Sequence, residues 1–105
     1  MSELQVSQKR RFRGAILQFV YTNHEAQLAH YDHIMLWGLM QDLGFSLGQL
    51  QVITLLQELK DRGYLIFEER RNKLTGAVEI SRIGITPAGR NLVEGIEQDA
   101  AVLVP

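Results

Sequence analysis

No cysteine occurs anywhere in the chain. Its absence excludes a disulfide framework, a cysteine-ligated zinc site and thiol catalysis, and makes a cytoplasmic protein the expectation. Apolar runs are short as well. None approaches the ~20 residues that cross a bilayer, and Met1-Ser2-Glu3-Leu4-Gln5 lacks the apolar core of a secretory signal. No membrane partner is expected. An excess of one charge is also missing: the formal net charge is −1, so there is no global basic signature for a polyanion. Glycine forms no phosphate-cradling loop, since Gly44, Gly48 and Gly63 read as helix punctuation.

Chemistry-bearing constellations are equally sparse. No nucleophile–base pattern is present. Glu68 and Glu69, as neighbours on a strand, point to opposite faces, which is poor geometry for a working carboxylate pair. The chain is therefore expected not to be an enzyme and to need no cofactor. His24, His30 and His33 lie near Glu25 and Asp32, but only His30 and His33 are spaced like ligands. Loop histidines account for them, and no metal is expected.

What remains is a globular chain. Its 105 residues, 46% hydrophobic and 22% charged, suit one domain (1–105) with a single modest core. Residues 1–7 read as a frayed start and 100–105 as a tail. The cations are grouped. Four of eleven lie at Lys9, Arg10, Arg11 and Arg13 and three more at Arg70, Arg71 and Lys73, whereas acid gathers late at Glu94, Glu97 and Asp99.

The stretch from Gly44 to Leu65 organises the rest. Val52, Leu55, Leu56 and Leu59 fall on one stripe at 3.6-residue spacing, the face a helix turns to its core. Ser46 with Gln49 makes a capping box at its start, and Gly63 suits the left-handed residue that ends it. Before it, Gln8–Asn23 predicts a helix burying Phe12, Ile16, Phe19 and Val20, with its cations at the end that the helix dipole disfavours. Thr22–His30 reads as a loop. Asp32 caps a second helix, 32–43, which buries Leu36, Leu39, Met40 and Leu43, with Trp37 beside that stripe. After Gly63, Tyr64–Glu69 and Ala77–Ile85 read as strands about a polar turn, with Val78, Ile80 and Ile83 on one face. Thr86 caps a last helix that has Pro87 at its first position and Leu92, Val93 and Ile96 on its apolar side. Three helices, a β-hairpin and a C-terminal helix make an α+β chain with winged helix-turn-helix order.

Two pieces, GFSLGQLQVITLLQELKDRGYL and ITPAGRNLVEG, carry a resemblance. The Thr-Pro-Ala-Gly start of the last helix resembles that of many bacterial winged-helix regulators. Over residues 10–100 the chain is similar to small winged-helix proteins of Mu-like phages and prophages. The shared marks are Asp42-Leu43-Gly44, the run Leu59-Lys60-Asp61-Arg62-Gly63-Tyr64, and Leu92-Val93-Glu94-Gly95. The resemblance implies the fold and, by analogy of fold class, double-stranded DNA as a partner and transcription regulation as the role.

On that reading the outward face of the third helix carries Gln49, Leu50, Ile53, Thr54 and Gln57. Glutamine can pair with adenine there, and an aliphatic side chain can meet a thymine methyl. Yet no cation lies between Gly44 and Lys60, and a helix so apolar is also the kind that is buried on both sides. Arg70, Arg71, Asn72 and Lys73 on the wing would take phosphates or a minor groove, with Arg10 and Arg11 adding backbone contacts. The alternative is a winged-helix interaction module that buries the outer face of the third helix, with Trp37 or the tail, against a partner. A homodimer is expected, held by the first or last helix and the apolar segment Ala100–Val104.

Overall fold

The computed structural model describes residues 5–25 and 32–105. These form α1 (Val6–Glu25), α2 (His33–Asp42), α3 (Gln49–Asp61), β1 (Leu65–Arg71), β2 (Val78–Ile85) and α4 (Pro87–Val93). The architecture is α+β, four helices with one antiparallel two-stranded sheet. α1 packs on α3, α4 and β2; α3 packs on α2 and β1. Thr22–Glu25, expected in a loop, continue α1, and the rest of that loop, including His30, lies outside the described residues.

Asp32 caps α2 as its sequence position predicts, its Oδ1 accepting from the Met35 N–H at 2.9 Å. The buried face of α2 is different from the expected one. His33, Leu36 and Met40 point inward, whereas Leu39 and Leu43 are exposed. Two hydrogen bonds set this rotation. The Ile80 N–H donates to His33 Nδ1 at 3.1 Å, and the Trp37 indole donates to the Leu47 carbonyl at 2.8 Å. α2 then ends on Gly44 at φ +88, where the Gly44 and Phe45 N–H groups reach back to Gln41 and Met40. Phe45 meets Phe12 edge-on at 5.5 Å, which ties this turn to α1.

The start of α3 also departs from expectation. Its N-cap is Gly48, not Ser46, and the Gln51 side chain accepts from the Gly48 N–H at 2.7 Å. The Leu47 carbonyl is already taken by Trp37 and Gln41 of α2, and Leu47 itself is buried. That tertiary anchor outweighs a local cap worth ~1 kcal/mol. Val52, Leu55, Leu56 and Leu59 are buried as the spacing predicts. At the other end Gly63 adopts φ +84, and the Gly63 and Tyr64 N–H groups close on Lys60 and Leu59 at 2.9 Å. β1 follows at once.

Simple alternation along β2 would bury Val78 and Ile80 but turn Ile83 outward. A bulge resolves the conflict. Ile66 pairs with Gly84 and Glu68 with Ser81, so Arg82 and Ile83 together oppose Phe67. Arg82 takes the left-handed conformation at φ 54, and Ile80, Ile83 and Ile85 all reach the core.

Thr86 Oγ accepts from the Gly89 N–H at 3.1 Å and donates to the Gly63 carbonyl at 2.6 Å. Gly89 sits where a Cβ would lie 2.3 Å from the Tyr64 carbonyl oxygen, so the Thr-Pro-Ala-Gly segment seats α4 directly on the end of α3. Beyond α4, Ile96, expected on the apolar side of that helix, is exposed past its end. The segment at 100–105 is no free tail. Val102 is buried, the Leu103 N–H donates to the Arg10 carbonyl, and a Cβ on Gly14 would meet the Leu103 oxygen at 1.8 Å. Leu103 keeps its side chain 48% exposed there, so the segment is both anchored and partly open at the surface.

A left-handed non-glycine residue carries strain of ~1 kcal/mol. The Arg82–Glu68 pair stands at 3.8 Å between side chains 72% and 59% exposed, a contact that offsets little of it. Arg82→Gly should therefore be more stable than Arg82→Ala by ~1 kcal/mol in urea unfolding. Equal stability of the two variants would mean that the bulge is not strained there.

Candidate nucleic-acid interface

α3 turns one row outward. Leu50, Thr54, Gln57 and Asp61 follow at helical spacing, with Gln49 beside them. Leu50 is 72% exposed, while Ile53 is 7% exposed and belongs to the core. Ile53 is thus removed from the outward set: it lies on the flank that widens the buried stripe. The row contains no cation. Its last member, Asp61, is an exposed acid. The Thr54 hydroxyl donates to the Leu50 carbonyl at 3.0 Å, so it faces outward as an acceptor. The Gln57 amide is engaged too, donating to Glu69 Oε1 of β1 at 3.0 Å.

That bond orients the hairpin. Glu69 and Arg71 lie two residues apart on β1, hence on one face, and Glu69 touches α3. Arg71 is therefore on the α3 side. Arg70 points to the other side, opposite Glu79, into a cleft of about 400 Å³ that it lines with Asp32, Glu68 and Glu79. The three hairpin cations do not share one face, a consequence of strand alternation.

The turn itself is closely hydrogen-bonded. Asn72 Oδ1 accepts from the Leu74 and Thr75 N–H groups at 2.8 and 3.1 Å, and the Asn72 carbonyl accepts from Gly76 at 2.7 Å. The Asn72 side chain thus builds the turn instead of reading a base. Arg71 donates to the Gly76 carbonyl at 3.0 Å, and Lys73 projects into solvent. Among the described residues no carboxylate stands within 4.0 Å of the Arg70, Arg71 or Lys73 cationic groups.

Two of the N-terminal cations, Arg13 and Arg10, are engaged elsewhere. Arg13 pairs with Glu58 of α3 and donates to the Ala101 carbonyl at 3.0 Å, which gives it a structural partner. Arg10 lines a cleft of about 680 Å³ closed by Leu92, Asp99 and the segment up to Pro105, with its Nε buried and without a hydrogen-bond partner. Arg11 is exposed on α1. No hairpin residue lines the Arg10 cleft. His24 contacts Arg90 at 2.8 Å, and His33 is committed to Ile80; among the described residues no three His, Asp or Glu side chains converge as metal ligands. No helix among the described residues is long and apolar enough to cross a membrane. No family model, curated protein or solved structure matches the chain.

The perturbed titrating groups fasten the C-terminal segment. The Tyr64 hydroxyl donates to Asp99 Oδ2 at 2.5 Å, and Asp99 Oδ1 accepts from the Ala101 N–H at 2.8 Å. The hydrogen bond to Asp99 first, then burial, pushes the Tyr64 hydroxyl up to about 12. The Tyr64 hydroxyl first, then the Ala101 N–H, holds the Asp99 carboxyl below its ordinary range.

The signs follow from linkage. The Tyr64 contribution is complete below its unfolded value of 10.0 and is lost as pH rises toward about 12. The Asp99 contribution is present above its unfolded value of 3.8 and is lost as pH falls through its lower folded value. Urea midpoints across pH should show both declines. Tyr64→Phe should abolish the alkaline one and lower stability at neutral pH by ~1 kcal/mol. An alkaline decline that survives in Tyr64→Phe would assign it elsewhere.

Proposed function

We propose that this chain is a winged helix-turn-helix protein that binds double-stranded DNA as a homodimer and acts as a transcriptional regulator of bacterial or prophage origin. The supporting observation is the placement of Arg71 and Lys73. Both are exposed and free of carboxylates on an ordered hairpin, and Arg71 lies on the side of the outward row of α3. In this reading α2 and α3 are the helix-turn-helix and the hairpin is the wing. The first half of α3 enters the major groove, where Gln49 pairs with adenine and Leu50 meets a thymine methyl. Asp61 and Glu69 repel phosphates at the other end, so the helix enters by its N-terminal turns. The wing takes the adjoining backbone.

One small module covers limited DNA, and α2 offers a face for a second copy. Met35, Leu39 and Leu43 are exposed at i, i+4 and i+8. Antiparallel pairing about Leu39 sets Met35 of each copy against Leu43 of the other, an isologous contact with no charge in its centre. The same face favours the second reading, an interaction module that binds no DNA. On the outer face of α3 and on the tail, Leu50 and Leu103 stay exposed for that reading, while Ile53 and Val102 are buried.

The test is a set of titrations. Arg71→Ala with Lys73→Ala should weaken all duplex sequences alike and lower the slope of log affinity against log salt by about 2, near 0.9 per lost contact. Arg70→Ala, beside Glu79, should lower it by less than one contact. Gln49→Ala should relax sequence preference by ~1–3 kcal/mol at an unchanged slope. Leu39→Glu should leave a folded monomer in sedimentation and weaken DNA binding. If the parent protein binds no duplex at low salt while Leu39→Glu still dissolves an assembly, the interaction module is the correct reading.

A further inference from the structure

Among the described residues the most exposed large apolar side chain is Leu74 at the hairpin tip, at 96%. A lone exposed leucine is ordinary on a protein surface; a lone leucine on a rigid, cationic point is a different object. The Asn72 N–H donates to the Ala77 carbonyl at 2.8 Å, and the Ala77 N–H donates to Thr75 Oγ at 3.2 Å. With the two N–H groups on Asn72 Oδ1 and the Gly76 bond, the N–H groups of Asn72, Leu74, Thr75, Gly76 and Ala77 are all satisfied within the turn, and Gly76 supplies the left-handed residue at φ +73. The turn therefore has little freedom to fold Leu74 back onto the body. Arg71 and Lys73 stand beside it, and the nearest acids, Glu68, Glu69 and Glu79, lie back along the strands.

We propose that Leu74 is an apolar wedge that enters a base step from the minor groove while Arg71 and Lys73 hold the flanking phosphates, so that the protein kinks the duplex it binds. This rests on the DNA-binding reading and adds a mechanism to it. Apolar side chains inserted in this way unstack a step and bend DNA by roughly 20–90° toward the major groove. The cost depends on how readily the step unstacks, so the wedge selects flexible pyrimidine–purine steps without hydrogen bonds to bases. A narrow ribbon with one leucine at its apex fits a groove better than a flat lipid surface.

The experiment is energy transfer between dyes on the two ends of a short duplex with a central TA step, read with wild type, Leu74→Ala and Leu74→Met. Wild type should shorten the end-to-end distance. Leu74→Ala should bind with an unchanged salt slope, because its phosphate contacts remain, but should leave the duplex straight. Leu74→Met should restore the bend. Circular dichroism of Leu74→Ala should match the parent, since the side chain touches nothing in the fold. A wild type that binds without bending, or an Ala variant that bends equally, overturns the wedge and leaves DNA binding standing. A wild type that binds no duplex overturns both. Binding to vesicles of anionic phospholipid that Leu74→Ala abolishes, with no duplex bent, assigns the tip to a membrane and overturns the wedge.

Discussion

The fold depends on the closure at Gly63 and Tyr64. α3 ends there on a left-handed glycine whose conformation an L side chain adopts only under strain. Its last carbonyls would be unsatisfied without the back-bonding N–H groups of Gly63 and Tyr64. The same two residues present their own carbonyls to Thr86, through the hydroxyl at Gly63 and the N–H at Tyr64. One short segment thus fixes the end of α3, the start of β1, and the seat of α4. The direction of the hairpin relative to α3 follows, and so does the side on which Arg71 projects.

Charge is arranged around that closure in two tiers. Arg13–Glu58, Arg62–Asp99 and the Lys60 ammonium over the Phe67 ring tie elements of the body together. These are partly shielded contacts that hold α1, α3, β1 and the C-terminal segment in register. Arg70, Arg71 and Lys73 have no such partners among the described residues. A net charge of −1 therefore hides a local asymmetry: in the body Arg13 and Arg62 are paired with carboxylates and Lys60 with a ring, whereas Arg71 and Lys73 at the tip have no carboxylate beside them. The two acids at the far end of the α3 surface, Asp61 and Glu69, constrain how any polyanion would approach.

The parts legible in the sequence were those with local causes. Gly44 and Gly63 as helix stops, Asp32 and Thr86 as caps, and the stripe from Val52 to Leu59 each follow from backbone or periodicity rules that act within a few residues. The parts that were not legible depend on distant partners. Ser46 lost the cap to Gly48 because Trp37 and Gln41 hold the Leu47 carbonyl. Leu39 and Leu43 face outward because His33 is fixed to Ile80, forty-seven residues away. The tail packs because Gly14 leaves room for its backbone. Arg70 and Arg71 separate by simple strand alternation, which a count of cations on the turn ignores. Of the candidate surface, the sequence located the hairpin cations and Leu50, and it overlooked Asp61 and the Gln57–Glu69 bond that orients the hairpin.

The central claim is that the outward row of α3 and the hairpin tip form one DNA-contacting surface. The direct measurement is the amide NMR spectrum of the nitrogen-15 labelled protein while a short duplex is added at low salt. The account predicts perturbations concentrated in two stretches, Gln49–Thr54 and Arg71–Gly76, that diminish together as salt is raised. An unchanged spectrum at low salt, or changes confined to the outer face of α2, would contradict it.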